Sequence, residues 1–240
     1  MKTKTQKISI AVPCYNEEEL IEDTYAKIKK EAEKLPGKNY EIIFANDGSK
    51  DKTLDILKKI AARDKKVRVL SHYPNKGMGY SHRQLYNHAT GEITIILDAD
   101  LSTSPNIIFP LIKTLNQENL DMVIASRYAG VQGEIPISRD IPSWCYYFMN
   151  RILFGLKVRD SQSGFVAFKS PVIKSLGLTS DRFEIHMEVL GKMQKRGYKI
   201  KEIPAEYIAR IEGSKFNVLT DGPKTVLRTI KVWWNLRGFK

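Results

Sequence analysis

Between Glu92 and Ser102 the chain reads EITIILDADLS: an apolar run, Ile93 to Leu97, ends in two aspartates separated only by Ala99. Asp98 and Asp100 place two like charges at the tip of what reads as a buried strand. A carboxylate there must be solvated, neutralised or paired, because an unpaired buried charge is expensive. A hard divalent cation answers the problem. Mg²⁺ takes one or two protein carboxylates, keeps several waters and completes its shell with substrate phosphate oxygens. The spacing therefore points to a phosphorylated substrate held through a metal, with Asp98 and Asp100 as the protein ligands. A lone D-x-D also occurs as a plain turn; its place after an apolar strand in an alternating pattern is what favours the metal.

Strands are expected at residues 8–13, 40–46, 67–73, 92–97 and 121–126, with helices from about Glu17, after NDGS and over 79–90. Such alternation predicts an α/β fold, a mostly parallel sheet flanked by helices. Ligands in these sheets bind beyond the carboxyl ends of the strands. The clusters CYNEEE, NDGS, PNKGMG, DADLS and SRY each follow a strand, so five adjacent strand ends are expected to form one site. NKGMG offers backbone N–H groups and the Lys76 charge near a diphosphate, although the same glycines suit a turn that opens a helix. Asp47 in NDGS suits a nucleobase edge, or an ordinary Asx turn. GMGYSH lacks the third glycine of a dinucleotide fingerprint, and no G-x-x-x-x-G-K-[ST] is present.

After residue 127 the periodicity weakens. Residues 129–143 are expected as a loop, 144–158 as an aromatic-rich helix, and DSQSGFVAF as a short strand or turn. RFEIHMEVLGKMQKRG reads as a helix, YKIKEIPAEYIA as an edge strand interrupted by Pro204, and the terminal helix as starting at Pro223. No linker divides the chain, so one domain over 1–240 is expected. The 42% hydrophobic and 28% charged content is that of a soluble globular protein. Cys14 and Cys145 form no spaced pair, which argues against a disulfide scaffold or a thiolate metal site. No apolar leader and no run of about 18 apolar residues is visible, so a cytoplasmic location is expected. The net charge of +12 favours anionic partners, and no recognised nucleic-acid motif appears, so no nucleic-acid partner is expected. Segments 143–157 and 223–237 combine basic residues with tryptophan, as interfacial helices do. They are expected to touch an anionic membrane peripherally, at its cytosolic face; packing on the core is the competing reading.

VPCYNEEE, NDGSKDKT, NKGMG, ATGEITIILDADLS, ASRY, RDSQSGF and EGSK occur in this order. As an ordered set they resemble a family 2 glycosyltransferase of the GT-A fold, over about residues 7–237. Within that family they are similar to the polyprenyl-phosphate hexosyltransferases, the dolichyl-phosphate mannose and glucose synthases. The resemblance implies that residues 1–127 bind a nucleotide-diphospho-sugar with Mg²⁺ or Mn²⁺, and that 128–240 present a polyprenyl phosphate acceptor. Carried over residue by residue, Pro13, Tyr15 and Glu17 line the nucleotide, Asp47 meets the base and Lys76 the diphosphate. Asp98, Ala99 and Asp100 flank the nucleotide, with the two carboxylates on the metal. Arg127, Arg210 and Lys215 compensate phosphate charge, Ser138 and Arg139 clamp the acceptor phosphate, and Asp160 orients acceptor or sugar. Three positions depart from the family pattern. Asn46 replaces the first Asp of D-D-G-S, Ser102 stands where some relatives place a metal-binding Gln, and His186 stands where relatives carry Asp or Gln, two residues before the family's acid at Glu188. The implied reaction is inverting hexose transfer to a lipid phosphate. Alternatives are a glycan hydroxyl acceptor, though Q-x-x-R-W is absent, or a sugar nucleotidyltransferase, which would want a basic Gly-rich loop where VPCYNEEE is acidic. The sugar, mannose or glucose, and the base, guanine or uracil, stay open.

Overall fold

The computed structural model describes residues 6–129, 137–206 and 218–238, with 137–143 and 218–219 described by backbone alone. The expected apolar runs form β1 (Ile8–Cys14), β2 (Tyr40–Asp47), β3 (Val67–His72), β4 (Ile93–Ile96) and β5 (Met122–Ser126). Between them run α1 (Ile21–Ala32), α2 (Thr53–Arg63), α3 (Met78–His88) and α4 (Ile108–Gln117). The rest adds α5 (Ile137–Phe154), β6 (Val166–Lys169), α6 (Ser170–Ser175), α7 (Ile185–Lys195), β7 (Ile200–Pro204) and α8 (Val218–Leu236).

Seven strands make one sheet in the order β3-β2-β1-β4-β6-β5-β7. Its strands are apolar on both faces because both faces are covered. Ile10, Val12, Ile42 and Phe44 join α1, α2 and α4 in one core, while the alternate residues Ala11, Ile43 and Ala45 join α3 and α7 in the other. The sheet is mixed: β6 runs antiparallel to both β4 and β5 and separates them. The five polar strand ends are therefore not all adjacent, as the sequence implied. The antiparallel strand adds to the site instead. Its start lies where β4 and β5 end, so the segment preceding it reaches the same edge as DADLS and SRY.

Other expectations shift at their boundaries. α1 starts at Ile21, not Glu17. Asn16 has a left-handed φ of 54°, and the N–H groups of Asn16, Glu17 and Glu18 are donated to Ser49, Thr53 and Asp51. α4 was not anticipated. α5 begins at Ile137, inside the stretch expected as a loop, and α8 begins five residues before Pro223. Pro142 and Pro223 each fall at the sixth residue of their helix, where proline forgoes one backbone bond near the N-terminus rather than ending the helix. β7 lies at the sheet edge, as expected of a strand carrying Pro204.

At the opposite end of the sheet from the polar clusters, Glu41 is buried in β2. Burial pushes its carboxyl up, but Ser9 Oγ at 2.6 Å, Thr90 N–H and Oγ1 at 2.7 Å, and Arg68 Nη1 at 3.0 Å donate to it and hold it down at about 2. A folded-state value below the unfolded one contributes stability above the unfolded value and loses it as pH falls through the folded one. Glu41 is therefore expected to contribute about 3 kcal/mol at neutral pH, lost between about pH 4.5 and pH 2. Urea unfolding of wild type and Glu41→Gln across that window checks it: the gap between them should close as pH falls.

Candidate functional site

The loops after β1 and β2 are laced into one wall. Asn16 and Glu17 N–H groups donate to Ser49 Oγ and Thr53 Oγ1 at 3.0 and 2.8 Å, and Lys50 N–H returns to Asn16 Oδ1 at 2.9 Å. Pro13, Tyr15 and Glu17 are half-buried along this wall. Asp47, at the end of β2, is buried and engaged: its carboxylate accepts Lys76 N–H at 2.8 Å and Gly77 N–H at 3.0 Å, and meets His72 Nε2 at 2.6 Å. Two of the N–H groups that NKGMG offered to a diphosphate, those of Lys76 and Gly77, are thus taken up by Asp47. Gly77 is required by packing, since it has φ of 103° and a Cβ there would stand 2.5 Å from the Asp181 carbonyl oxygen. The Lys76 ammonium, exposed over the Tyr80 ring at 4.5 Å, stands where it can meet an anion.

At β4 the ladder continues to Leu97 N–H, which donates to Ala11 O at 3.1 Å, and then the chain turns. The turn is closed by Leu101 N–H on Asp98 O at 3.2 Å and pinned to α1 by Thr24 Oγ1 on Ala99 O at 2.6 Å. Ala99 faces inward and Asp98 and Asp100 stay half-buried on either side of it. Asp98 is seated against Gly164: a Cβ on that glycine would stand 1.9 Å from Asp98 Oδ2, so the carboxylate fills the place a side chain would take. Asp100 Oδ1 accepts Ser102 N–H at 3.0 Å, which fixes its rotamer. The donor set fits Mg²⁺ or Mn²⁺: hard carboxylate oxygens fixed by one turn, Asp98 lining a cleft and Asp100 beside it. Among the described residues no cluster of three or more His, Cys, Asp or Glu suited to a metal is present, so water and phosphate oxygens would complete such a shell.

The cleft beside Asp98 is lined by Ser102, Thr103, Arg127, Gln162, Ser163 and Gly164. Arg127 follows β5 and is clamped by buried Asp160: Nη2 reaches Oδ1 at 2.7 Å, while Nε and the backbone N–H reach Oδ2 at 2.9 and 3.0 Å. Glu202 on β7 holds the Asp160 N–H at 2.8 Å, so this two-point pair stands on rigid backbone. Asp160 therefore orients Arg127. Behind the pair a small cavity is lined by His82, His186 and Asp160, the two imidazoles 5.4 Å apart and edge-on. Burial lowers the His186 pKa to about 4, Asp160 opposing and Arg127 adding to the effect, so the ring is neutral where relatives carry an acid or amide. Glu188 points away from this chemistry: it accepts Ser180 N–H at 2.8 Å, Thr179 N–H at 3.0 Å and Lys192 Nζ at 2.7 Å, holding the loop before α7.

The structure thus brings together Asp98, Arg127 and Asp160, with Asp100 on the same turn, and lines up Pro13, Tyr15, Glu17 and Asp47 on the neighbouring loops. Arg210 and Lys215 lie outside the described residues, and Ser138 and Arg139 are described only as backbone of α5. Gln162, Ser163 and Gly164 were missed as site residues, although SQSG was on the page; their signal was a polar, glycine-containing segment just before a strand, at the edge only an antiparallel strand could reach.

α5 and α8 pack through Tyr146 Oη and Thr229 Oγ1, 2.8 Å apart. α8 buries Thr225, Thr229, Val232 and Leu236 and exposes Leu227, Ile230 and Trp234 on the other side. α5 likewise exposes Trp144, Phe148 and Ile152, the last 81% accessible. Each helix therefore carries a second apolar stripe that is exposed among the described residues. No helix among the described residues is long and apolar enough to cross a membrane.

Comparison with known proteins agrees with this arrangement. The chain is similar to the dolichol-phosphate mannosyltransferase of Pyrococcus furiosus, 30% identical over 212 residues that make 86% of this chain and 58% of the relative. It is also similar to the dolichyl-phosphate beta-glucosyltransferase of Trichomonas vaginalis, 30% identical over 226 residues that make 88% of this chain and 68% of the relative. The chain spans 37% to 82% of the length of four curated relatives. In fold it matches glucosyl-3-phosphoglycerate synthase from Mycobacterium tuberculosis, solved with Mn²⁺, UDP and phosphoglyceric acid, at TM-score 0.70 and 19% identity, covering 98% of this chain and 80% of that one. The family model for glycosyl transferase family 2 matches residues 9–177, a span that takes in Asp98, Arg127, Asp160 and Gly164 but not β7. The chain belongs to that family.

Proposed function

We propose that the protein is a metal-dependent, inverting hexosyltransferase that moves mannose or glucose from GDP-mannose or UDP-glucose to a polyprenyl phosphate. The observation that carries this is the convergence of Asp98 and the Arg127–Asp160 pair on one cleft, next to helices that expose apolar stripes. Asp98 and Asp100 hold the cation, which when bound neutralises the donor diphosphate and eases its departure. The loops carrying Pro13, Tyr15, Glu17 and Asp47 seat the nucleotide, with Lys76 near its diphosphate; Arg210 and Lys215 are assigned to phosphate charge, and Ser138 and Arg139 to the acceptor phosphate. An acceptor phosphate oxygen attacks the anomeric carbon from the face opposite the leaving group. The bond from that carbon to the donor diphosphate breaks, and its electron pair leaves with the nucleoside diphosphate. Arg127, held in place by Asp160, stabilises the charge that develops there. A phosphate monoester is already anionic at neutral pH, so no strong general base is required, and Asp160, tied up by Arg127, is not asked to be one. Labelled GDP-mannose and UDP-glucose, offered separately with polyprenyl phosphate and Mg²⁺ or Mn²⁺, test the reading. Label should enter the organic phase from one of them, and incorporation from neither overturns it.

The same reading places the protein peripherally on an anionic membrane through α5 and α8, at the cytosolic face. The stripes Trp144–Phe148–Ile152 and Leu227–Ile230–Trp234 supply apolar contact, and Lys224, Arg228, Lys231 and Arg237 supply charge. Replacing both Phe148 and Trp234 by Ser is expected to weaken binding to anionic vesicles by about tenfold or more, given about 1.5–3 kcal/mol for each large apolar side chain buried. Vesicle co-sedimentation reads the change, and equal binding by variant and wild type contradicts it.

A further inference from the structure

We propose that Arg159 docks the phosphate of a phosphorylated lipid at the junction between the cleft and the apolar stripe of α5. The guanidinium carbon lies 4.8 Å from the ring centre of Tyr128 and 4.7 Å from that of Trp144. Its backbone is fixed as well, since the Arg159 N–H donates to Glu202 Oε2 at 2.8 Å. Aromatic faces attract the cation but leave its five N–H donors without acceptors. Four arginines here meet carboxylates: Arg63 with Glu22, Arg68 with Glu41, Arg83 with Asp181 and Arg127 with Asp160. Arg237 lies over Trp233 and Trp234 as Arg159 lies over its rings; the place of Arg159 beside the cleft sets it apart. Among the described residues Arg159, which is exposed, has no such ion pair. A guanidinium steadied by rings and lacking a carboxylate is prepared for phosphate, whose oxygens accept paired N–H bonds from its planar fork.

What surrounds Arg159 specifies the rest of the ligand. On one side, Trp144 stacks on Phe148 with ring centres 5.6 Å apart, and exposed Ile152 continues the same helical stripe. On the other side, Tyr128 is shared with Arg127, whose guanidinium lies 5.6 Å from the same ring and lines the cleft with Asp98. An anion at Arg159 thus has an apolar track leading away from it and the reacting site beside it. That geometry suits an amphiphile with a phosphate head and a hydrocarbon chain laid along Trp144, Phe148 and Ile152. Taking this amphiphile to be the sugar acceptor rests on the function proposed above; the docking itself does not.

Binding measured without any nucleotide sugar separates the two. The probes are farnesyl phosphate, farnesol, inorganic phosphate, and vesicles of phosphatidylcholine with phosphatidylglycerol, followed by tryptophan fluorescence and titration calorimetry. Wild type should bind farnesyl phosphate about tenfold or more tightly than farnesol or inorganic phosphate. Arg159→Gln should weaken farnesyl phosphate by about 10–100-fold, as expected for charge-assisted hydrogen bonds, with Arg159→Lys in between and vesicle affinity unchanged. Ile152→Ser, on the same stripe but away from the rings that hold Arg159, should weaken farnesyl phosphate and leave inorganic phosphate as it was. Unaltered farnesyl phosphate binding by Arg159→Gln overturns the proposal. So does an equal loss of vesicle binding, which would make Arg159 a bilayer headgroup contact, and so does inorganic phosphate binding as tightly as farnesyl phosphate, which would make it a free-phosphate site. A protein that binds farnesyl phosphate through Arg159 yet transfers no hexose keeps this proposal and refutes the transferase reading.

Discussion

Asp98→Asn should lower kcat/KM for sugar transfer by about 10²–10³-fold, the scale seen when one preorganised electrostatic partner of a developing charge is removed. Asparagine keeps the shape of the side chain and its seat against Gly164, so only the charge changes. Thermal stability without metal should hold or rise slightly, because Asp98 and Asp100 then no longer repel each other across Ala99. Activity and stability moving apart in this way marks a charge kept for chemistry. A variant that lost both together would mark a structural residue. Asp100→Asn should behave in the same direction, and a higher Mn²⁺ requirement in either variant would tie the loss to the cation.

Gly164→Ala is the second large effect, and it acts without replacing a charged group. The added methyl would stand 1.9 Å from Asp98 Oδ2 and 2.4 Å from Asp98 Cγ. No such contact can persist, and the flexible side chain gives way more readily than the backbone that holds it. Asp98 is therefore expelled from its seat, and kcat/KM should fall by about 10²-fold, approaching the loss from Asp98→Asn. Because both changes act on the same carboxylate, they should not add. The double variant should be little slower than Asp98→Asn alone, which a double-mutant cycle on kcat/KM measures. Full additivity would mean that Gly164 serves the site by some route other than Asp98.

The sequence carried a good part of this before any coordinates. The first five strands and three of their helices followed from apolar runs and periodicity, since a sheet covered on both faces needs such runs. Asp98 and Asp100 stood out because charge at the end of an apolar strand calls for a reason. What stayed hidden depends on contacts between distant segments. Nothing local in VAFK says that it runs antiparallel, so nothing local placed Gly164 under Asp98, 66 residues away. The glycines of NKGMG suited either a phosphate contact or a turn that opens a helix; Gly77 is there because the Asp181 carbonyl and the Arg182 side chain pass over it and its N–H serves Asp47. Arg159 carried no signal of its own, because the rings of Tyr128 and Trp144 come from two other parts of the chain. Pro223 misled in the opposite sense, read as the start of the terminal helix although α8 begins five residues before it.

The central claim is that Asp98 and Asp100 bind the donor diphosphate through a divalent cation. Titration calorimetry of UDP and GDP into wild type and Asp98→Asn, each with Mn²⁺ and with chelator, tests it most directly. The account predicts that one nucleotide binds wild type about tenfold or more tightly with Mn²⁺ than without, and that this gain disappears in Asp98→Asn. Nucleotide binding that is equally tight with chelator, or a Mn²⁺ gain that survives the loss of the Asp98 charge, would contradict it.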